Sequence, residues 1–112
     1  MGFAMNLTLP IRAVNTANTR EHWARRAARA KQHRHEAYHS VRAAKPTRRV
    51  AYTVTLTRIG KRRTDSDGLA ISLKAVRDGV ADALGIDDGS ERIAWLYGQE
   101  IGREYAVRIE IT

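Results

Sequence analysis

Lys61-Arg62-Arg63-Thr64-Asp65-Ser66-Asp67-Gly68-Leu69 is the stretch around which the chain is organised. Three basic residues run straight into an Asp-x-Asp, with no apolar residue between them. Beyond it, Leu69, Leu73, Val76, Val80 and Leu84 recur at steps of four, three, four and four, which puts them on one face of an amphipathic helix. Asp67 stands where an N-cap belongs and Gly85 where a glycine just past a helix belongs, so the spacing predicts a helix over 68–84. Asp87-Asp88 follows at once. Carboxylates gathered at both ends of one helix are out of keeping with a chain in which 20 Lys and Arg face 12 Asp and Glu, a net charge of +8.

Working outward, the helix lies between strands. Val50, Tyr52, Val54 and Leu56 alternate with Ala51, Thr53, Thr55 and Thr57, which describes a strand with one packed face and one threonine-lined face, ended by Gly60. After the helix, Ile93, Trp95 and Tyr97 alternate, a turn falls near Gly102-Arg103, and Tyr105, Val107, Ile109 and Ile111 alternate again. This predicts a C-terminal hairpin. Trp95 and Tyr97 read as core aromatics, with base stacking the alternative. At the other end Met5, Leu7 and Leu9 form a short strand closed by Pro10. Asn18 and Glu21 are spaced as a capping box for a further helix over 20–44, rich in Ala and Arg and free of Gly and Pro. The order is strand, helix, strand, helix, strand, strand. That is an α/β (α+β) fold in which two main helices accompany a small mixed sheet of four strands, in a single domain over 1–112. The second strand, its helix and the third strand suit a parallel crossover.

Composition narrows the function. Arg greatly outnumbers Lys, which favours phosphate recognition because the guanidinium fork binds phosphate oxygens bidentately. In the first helix Trp23, Ala27, Ala30, Ala37, Tyr38 and Val41 make a narrow apolar stripe, and Arg25, Arg26, Arg29, Arg34 and Arg42 cover the rest. Glu21 and Glu36 are the only acidic residues there, so a bound polyanion would relieve the repulsion among the arginines. The alternative is a plain solvated face. His35 and His39 have the i,i+4 spacing of a helical metal pair, but arginines surround them and surface histidines are the reading preferred. The absence of cysteine excludes disulfides and thiolate metal sites. No apolar run suits a membrane span and the first nine residues lack the pattern of a signal peptide, so the expectation is a cytoplasmic protein with a polyanionic partner and no membrane.

In an extended segment residues two apart point the same way, so Asp65 and Asp67 would present both carboxylates to one point. Carboxylates so close repel unless a cation lies between them, and Mg²⁺ is usually held by one or two carboxylates plus substrate phosphate. That chemistry is metal-assisted phosphodiester hydrolysis, with Lys61, Arg62 and Arg63 drawing a negative backbone to a negative site. The competing reading gives Asp67 only a capping role and leaves Asp65 in solvent.

Asp65-Ser66-Asp67-Gly68-Leu69, the amphipathic helix, and Gly85-Ile86-Asp87-Asp88 together resemble the signature of the RusA family of Holliday junction resolvases. That family carries Asp-x-Asp-Asn-Leu, a helix and an Asp-Asp pair just beyond it. Leu7-Thr8-Leu9-Pro10, the basic first helix and the closing strands match its layout as well, so the likeness spans most of the chain. The resemblance implies a small basic homodimeric endonuclease, bacterial or phage-borne, that uses Mg²⁺ (or Mn²⁺) to nick four-way, branched double-stranded DNA by paired cuts. By position Asp65, Asp67 and Asp88 match its catalytic, metal-holding acids. Gly68 stands where the motif has Asn, and Ile71 where the family's pattern has a catalytic Lys. Lys74, one turn further on the same face, is the substitute if it reaches back toward the helix N-terminus. DNA contacts are expected from Arg25, Arg26 and Arg29 and from Lys61, Arg62 and Arg63. The alternative is a non-catalytic nucleic-acid-binding protein on the same scaffold.

A helix over 68–84 is about 25 Å long, so one chain cannot easily bring Asp65 and Asp67 to Asp88. Two antiparallel copies related by a two-fold axis would do so, which predicts a homodimer whose sites combine Asp65 and Asp67 of one subunit with Asp88 of the other.

Overall fold

The computed structural model describes residues 5–14 and 22–112. In chain order the elements are β1 (Met5–Leu9), α1 (Trp23–Ala43), β2 (Tyr52–Gly60), α2 (Ser66–Leu84), β3 (Ile93–Ile101) and β4 (Ala106–Ile111). Two helices and a four-stranded mixed sheet make this an α+β fold with the expected order of elements. Among the described residues no helix is long and apolar enough to cross a membrane.

The expected apolar face of α2 is the centre of the core. Leu73, Val76 and Val80 are fully buried and Leu69 nearly so, each worth about 1.5–3 kcal/mol relative to exposure. The helix starts at Ser66, two residues earlier than its apolar pattern required. Asp65, not Asp67, is the N-cap: its Oδ1 accepts the Gly68 N–H at 2.6 Å, and Asp67 lies inside the first turn. The far end closes on Gly85, whose left-handed φ of 69° lets the Gly85 and Ile86 N–H groups reach the Asp82 and Ala81 carbonyls in a Schellman turn.

In α1 the apolar stripe meets the core only in its second half, at Ala37 and Val41. Trp23, expected inside, is 73% exposed at the helix start, where His22 supplies the cap; the Asn18–Glu21 capping box lies outside the described residues. The two helices cross closely because Gly79 has no side chain. A Cβ there would run into the Arg34 carbonyl oxygen and come within 2.9 Å of the Ala37 Cβ.

The sheet order is β1-β4-β2-β3. Strand β2 pairs in parallel with β3, from Tyr52 opposite Ile93 to Gly60 opposite Ile101, as the crossover expectation requires. The C-terminal hairpin does not form. Strand β4 lies antiparallel to β1 and to β2, on the side of β2 away from β3. The link between β3 and β4 therefore steps over the end of β2, where the Gly102 N–H donates to the Gly60 carbonyl at 2.9 Å. A Cβ at Gly102 would meet Ile59 Cγ2 at 2.8 Å, so the step needs that glycine. The inward residues of the sheet and both helices share one core. Thr53, Thr55 and Leu96 alternate with those inward residues and point to the other face, across which Arg108 on β4 makes a two-pronged 2.8 Å ion pair with Glu100 on β3.

Candidate active site at the ends of α2

The two acidic groups sit at opposite ends of α2 and each is built by neighbours. At the start, the main chain of Thr64 is gripped by the Gln99 side chain from β3. Its N–H donates to Gln99 Oε1 at 3.0 Å and its carbonyl accepts from Gln99 Nε2 at 2.9 Å. The edge strand thus fixes how the chain enters Asp65. Lys61, Arg62 and Arg63, just upstream, are exposed and have no carboxylate within 4.0 Å among the described residues. Asp65 and Asp67 are exposed too, but the helix begins at Ser66. The alternation of an extended segment stops there, and residues two apart on a helix do not share a face. The strand alternation that would set these two carboxylates side by side is therefore interrupted at Ser66. Asp65 caps the helix with one oxygen and Asp67 stands off the first turn.

At the other end, Asp88 is held by α2 and β3 together. Its carbonyl accepts from Arg77 Nη2 and from the Trp95 indole N–H, both at 2.9 Å. The Arg77 guanidinium lies 4.7 Å from the Trp95 ring centre and donates to the Tyr97 hydroxyl at 2.8 Å. Trp95 and Tyr97 pack on the edge of the core, as expected, and also build this loop. Arg77 Nε stands 3.3 Å from Asp88 Oδ2 without hydrogen-bond alignment, so that carboxylate is held by charge while a buried N–H stays unsatisfied. Asp87 is exposed and accepts from the Gly89 N–H at 3.1 Å, shaping the turn.

Lys74 points away from the start of the helix. Its ammonium pairs with Asp78 at 3.2 Å and lines an open hollow with Arg34, Asp78, Asp82, Asp87 and Asp88. Arg34 in turn makes a two-pronged pair with Asp82 at 2.6 and 3.0 Å. Lys74 thus turns toward Asp78 and shares a hollow with Asp88, and does not reach back toward Asp65 and Asp67. Arg77, which anchors Asp88, lies ten residues past Asp67, about 15 Å further along the axis.

The donor set decides what one chain can hold. Among the described residues no three His or acidic side chains converge as a metal cage. Asp65 with its second oxygen, or Asp67, suits an ion that takes one or two carboxylates plus phosphate and water. A three-carboxylate cage within one chain does not fit. On α1, Arg25 and Arg26 are exposed and Arg29 partly so, and Arg26 and Arg29 line the groove between the two helices. His35 and His39 bring their Nε2 atoms to 3.3 Å on the exposed side of α1, with no third ligand among the described residues.

Arg77 and Gln99 escape a reading by periodicity. Each is a polar residue whose partner is set by the parallel β2–β3 register and by the path of the loop after α2. Neither protein-family models nor curated proteins give a match to this chain.

Proposed function

We propose that this chain is a Mg²⁺-dependent, structure-selective DNA endonuclease of the RusA type that acts as a homodimer on four-way junctions. The observation that carries the reading is the entry to α2. Three exposed cations, with no carboxylate within 4.0 Å among the described residues, lead directly into two exposed aspartates at the start of a helix. In a protein of net charge +8, that arrangement suits a phosphodiester backbone drawn to a hard cation. Asp65 and Asp67 would hold the ion. When bound, it supplies a water activated near neutral pH and a stabilised leaving oxygen. Lys61, Arg62 and Arg63 guide the strand, and Arg25, Arg26 and Arg29 extend the contact along α1.

The dimer supplies what one chain lacks. With Asp88 anchored about 15 Å along the helix from Asp67, an antiparallel second copy of α2 brings the partner's C-terminal end to the first copy's N-terminal end. Ile71 is 43% exposed on the stripe that runs from Asp67 through Lys74 to Asp78, and such a pairing would cover it.

A second reading, a nucleic-acid-binding protein without catalysis, has one observation in its favour. Three of the candidate catalytic groups already have partners within the chain: Asp65 caps α2, Lys74 pairs with Asp78, and Asp88 pairs with Arg77. Incubation with a synthetic four-way junction, in Mg²⁺, Mn²⁺ or EDTA, separates the two. Metal-dependent symmetric nicks support the nuclease. Retarded but uncut junction in every condition supports the binding protein.

A further inference from the structure

Three stretches far apart in sequence meet where β2 ends. Arg12 follows β1, Lys61 follows β2, and Tyr105 precedes β4. The Arg12 guanidinium lies 4.3 Å from the centre of the Tyr105 ring, and the Lys61 ammonium lies 5.8 Å from the same centre. One partly buried side chain ties the two basic loops together. Arg58 Nε donates to the Ala13 carbonyl at 3.2 Å, and its Nη1 donates to the Arg62 carbonyl at 2.8 Å. The guanidinium lies over Gly60, where a Cβ would come within 3.1 Å of Nη1.

Arg58 therefore spends its donors on main-chain carbonyls, and Arg12 and Lys61 are presented outward on a common ring. Neither has a carboxylate within 4.0 Å among the described residues. An aromatic face attracts each cation but does not cancel the repulsion between the two, whereas an anion seated between them would. Along the chain, the exposed Glu104 immediately precedes Tyr105, and Asp65 and Asp67 lie a few positions past Lys61, at the start of α2.

We infer that Arg12, Lys61 and Tyr105 form a phosphate-binding platform that seats the backbone of a DNA strand as it approaches Asp65 and Asp67. This assignment rests on the nucleic-acid reading above and adds Arg12, Tyr105 and Arg58 to it. Tyr105 orients the two cations and does not stack on a base, because its ring is already engaged. Arg58 is a positioning residue that keeps the two loops in register. The contact is to phosphate, so it is blind to base sequence.

The test is binding of a labelled four-way junction, and of a linear duplex of equal length, in EDTA over a range of KCl concentrations. Arg12 and Lys61 are exposed, so their alanine variants leave folding aside. Arg12→Ala and Lys61→Ala should each weaken both DNAs alike, by about 3- to 10-fold, and each should flatten the salt slope by about one unit. Tyr105→Phe keeps the ring and should bind like the parent; Tyr105→Leu should lose as much as Arg12→Ala. Arg58→Met should flatten the slope by up to two units while both cations are still present, an outcome a merely structural role would not give in a variant whose unfolding midpoint is unchanged. The platform is overturned if the double variant Arg12→Ala/Lys61→Ala keeps the parent's affinity and slope. It is equally overturned if micromolar inorganic phosphate displaces the DNA, which would make this a small-anion site, or if an RNA duplex binds tighter than DNA. A parent that binds no DNA at low salt defeats the proposed function itself. A parent that binds in EDTA and cuts once Mg²⁺ is supplied, with a double variant that does the same, defeats the platform alone.

Discussion

Asp65 has a capping role and a proposed metal-holding one, and a choice of substitution can separate them. As the N-cap it satisfies the Gly68 N–H, and asparagine does this as well as aspartate. Asp65→Asn should therefore unfold at the parent's denaturant concentration yet lose metal-dependent cleavage, whereas Asp65→Ala should lose cleavage and about 1 kcal/mol of stability. If Asp65→Asn cuts junction DNA normally at low Mg²⁺, this residue is a cap and nothing more. His33 gives a second residue-level prediction. Burial, helped by the nearby Arg29 charge, holds its imidazole below the usual histidine range. Arg34 and Lys74, lining the same groove, add no negative charge to oppose that, and Asp78 is paired with Lys74. The unfolded chain then binds the proton more readily than the folded one. The contribution is present above pH 6.5 and is lost as pH falls through the folded value. Urea midpoints measured downward from neutral pH should fall more steeply for the parent than for His33→Gln. Much of the residue-level detail was illegible in the sequence. The Asp-x-Asp was visible, but which Asp caps the helix turned on where the first turn begins, a difference of two residues. Arg77 and Gln99 had no periodic signal, because their partners come from another strand and another loop.

The elements were easier to read than their partners. The apolar steps of α2, the alternation of β2 from Tyr52 and the closing glycine at Gly85 come from local geometry and are present as expected, but β2 begins only at Tyr52 and leaves Val50, expected on its packed face, 84% exposed. The expected C-terminal hairpin is absent because alternation and a Gly turn specify two antiparallel strands, not adjacency, and the link past Gly102 crosses β2 before β4 begins. The first helix was read too apolar at its start for a related reason: spacing shows a stripe but not where the neighbouring element stops. Contact between the helices has its own test. Gly79→Ala adds one methyl group against the Arg34 carbonyl, in a place where backbone and not a flexible side chain would have to move. Overpacking of this kind should destabilise by about 1–3 kcal/mol, despite alanine's better helix propensity. A rise in the unfolding midpoint would mean that the helices separate freely and that the close crossing is not needed.

At the scale of the whole molecule, the proposed shared site makes a sharper claim than charge or fold alone. Asp67→Asn and Asp88→Asn should each be inactive as homodimers. Mixed after unfolding and refolding together, they form heterodimers with one doubly damaged site and one intact site, so single-strand nicking of a junction should return. If every site is built within one chain, both sites of the heterodimer carry a lesion and no activity comes back. The sheet order has a consequence of another kind, in time. Strand β1 touches the sheet only through β4, from Met5 opposite Ile111 to Leu9 opposite Val107. As the chain leaves the ribosome, β2, α2 and β3 can assemble as soon as β3 has emerged, while β1, made first, waits with no strand to join. Its pairing closes a loop of about a hundred residues, the kind of long-range contact whose entropy is repaid only at the end of folding. Until then β1 and one edge of β2 are open strands, and it is in this interval, not in the finished fold, that the protein is most exposed to aggregation.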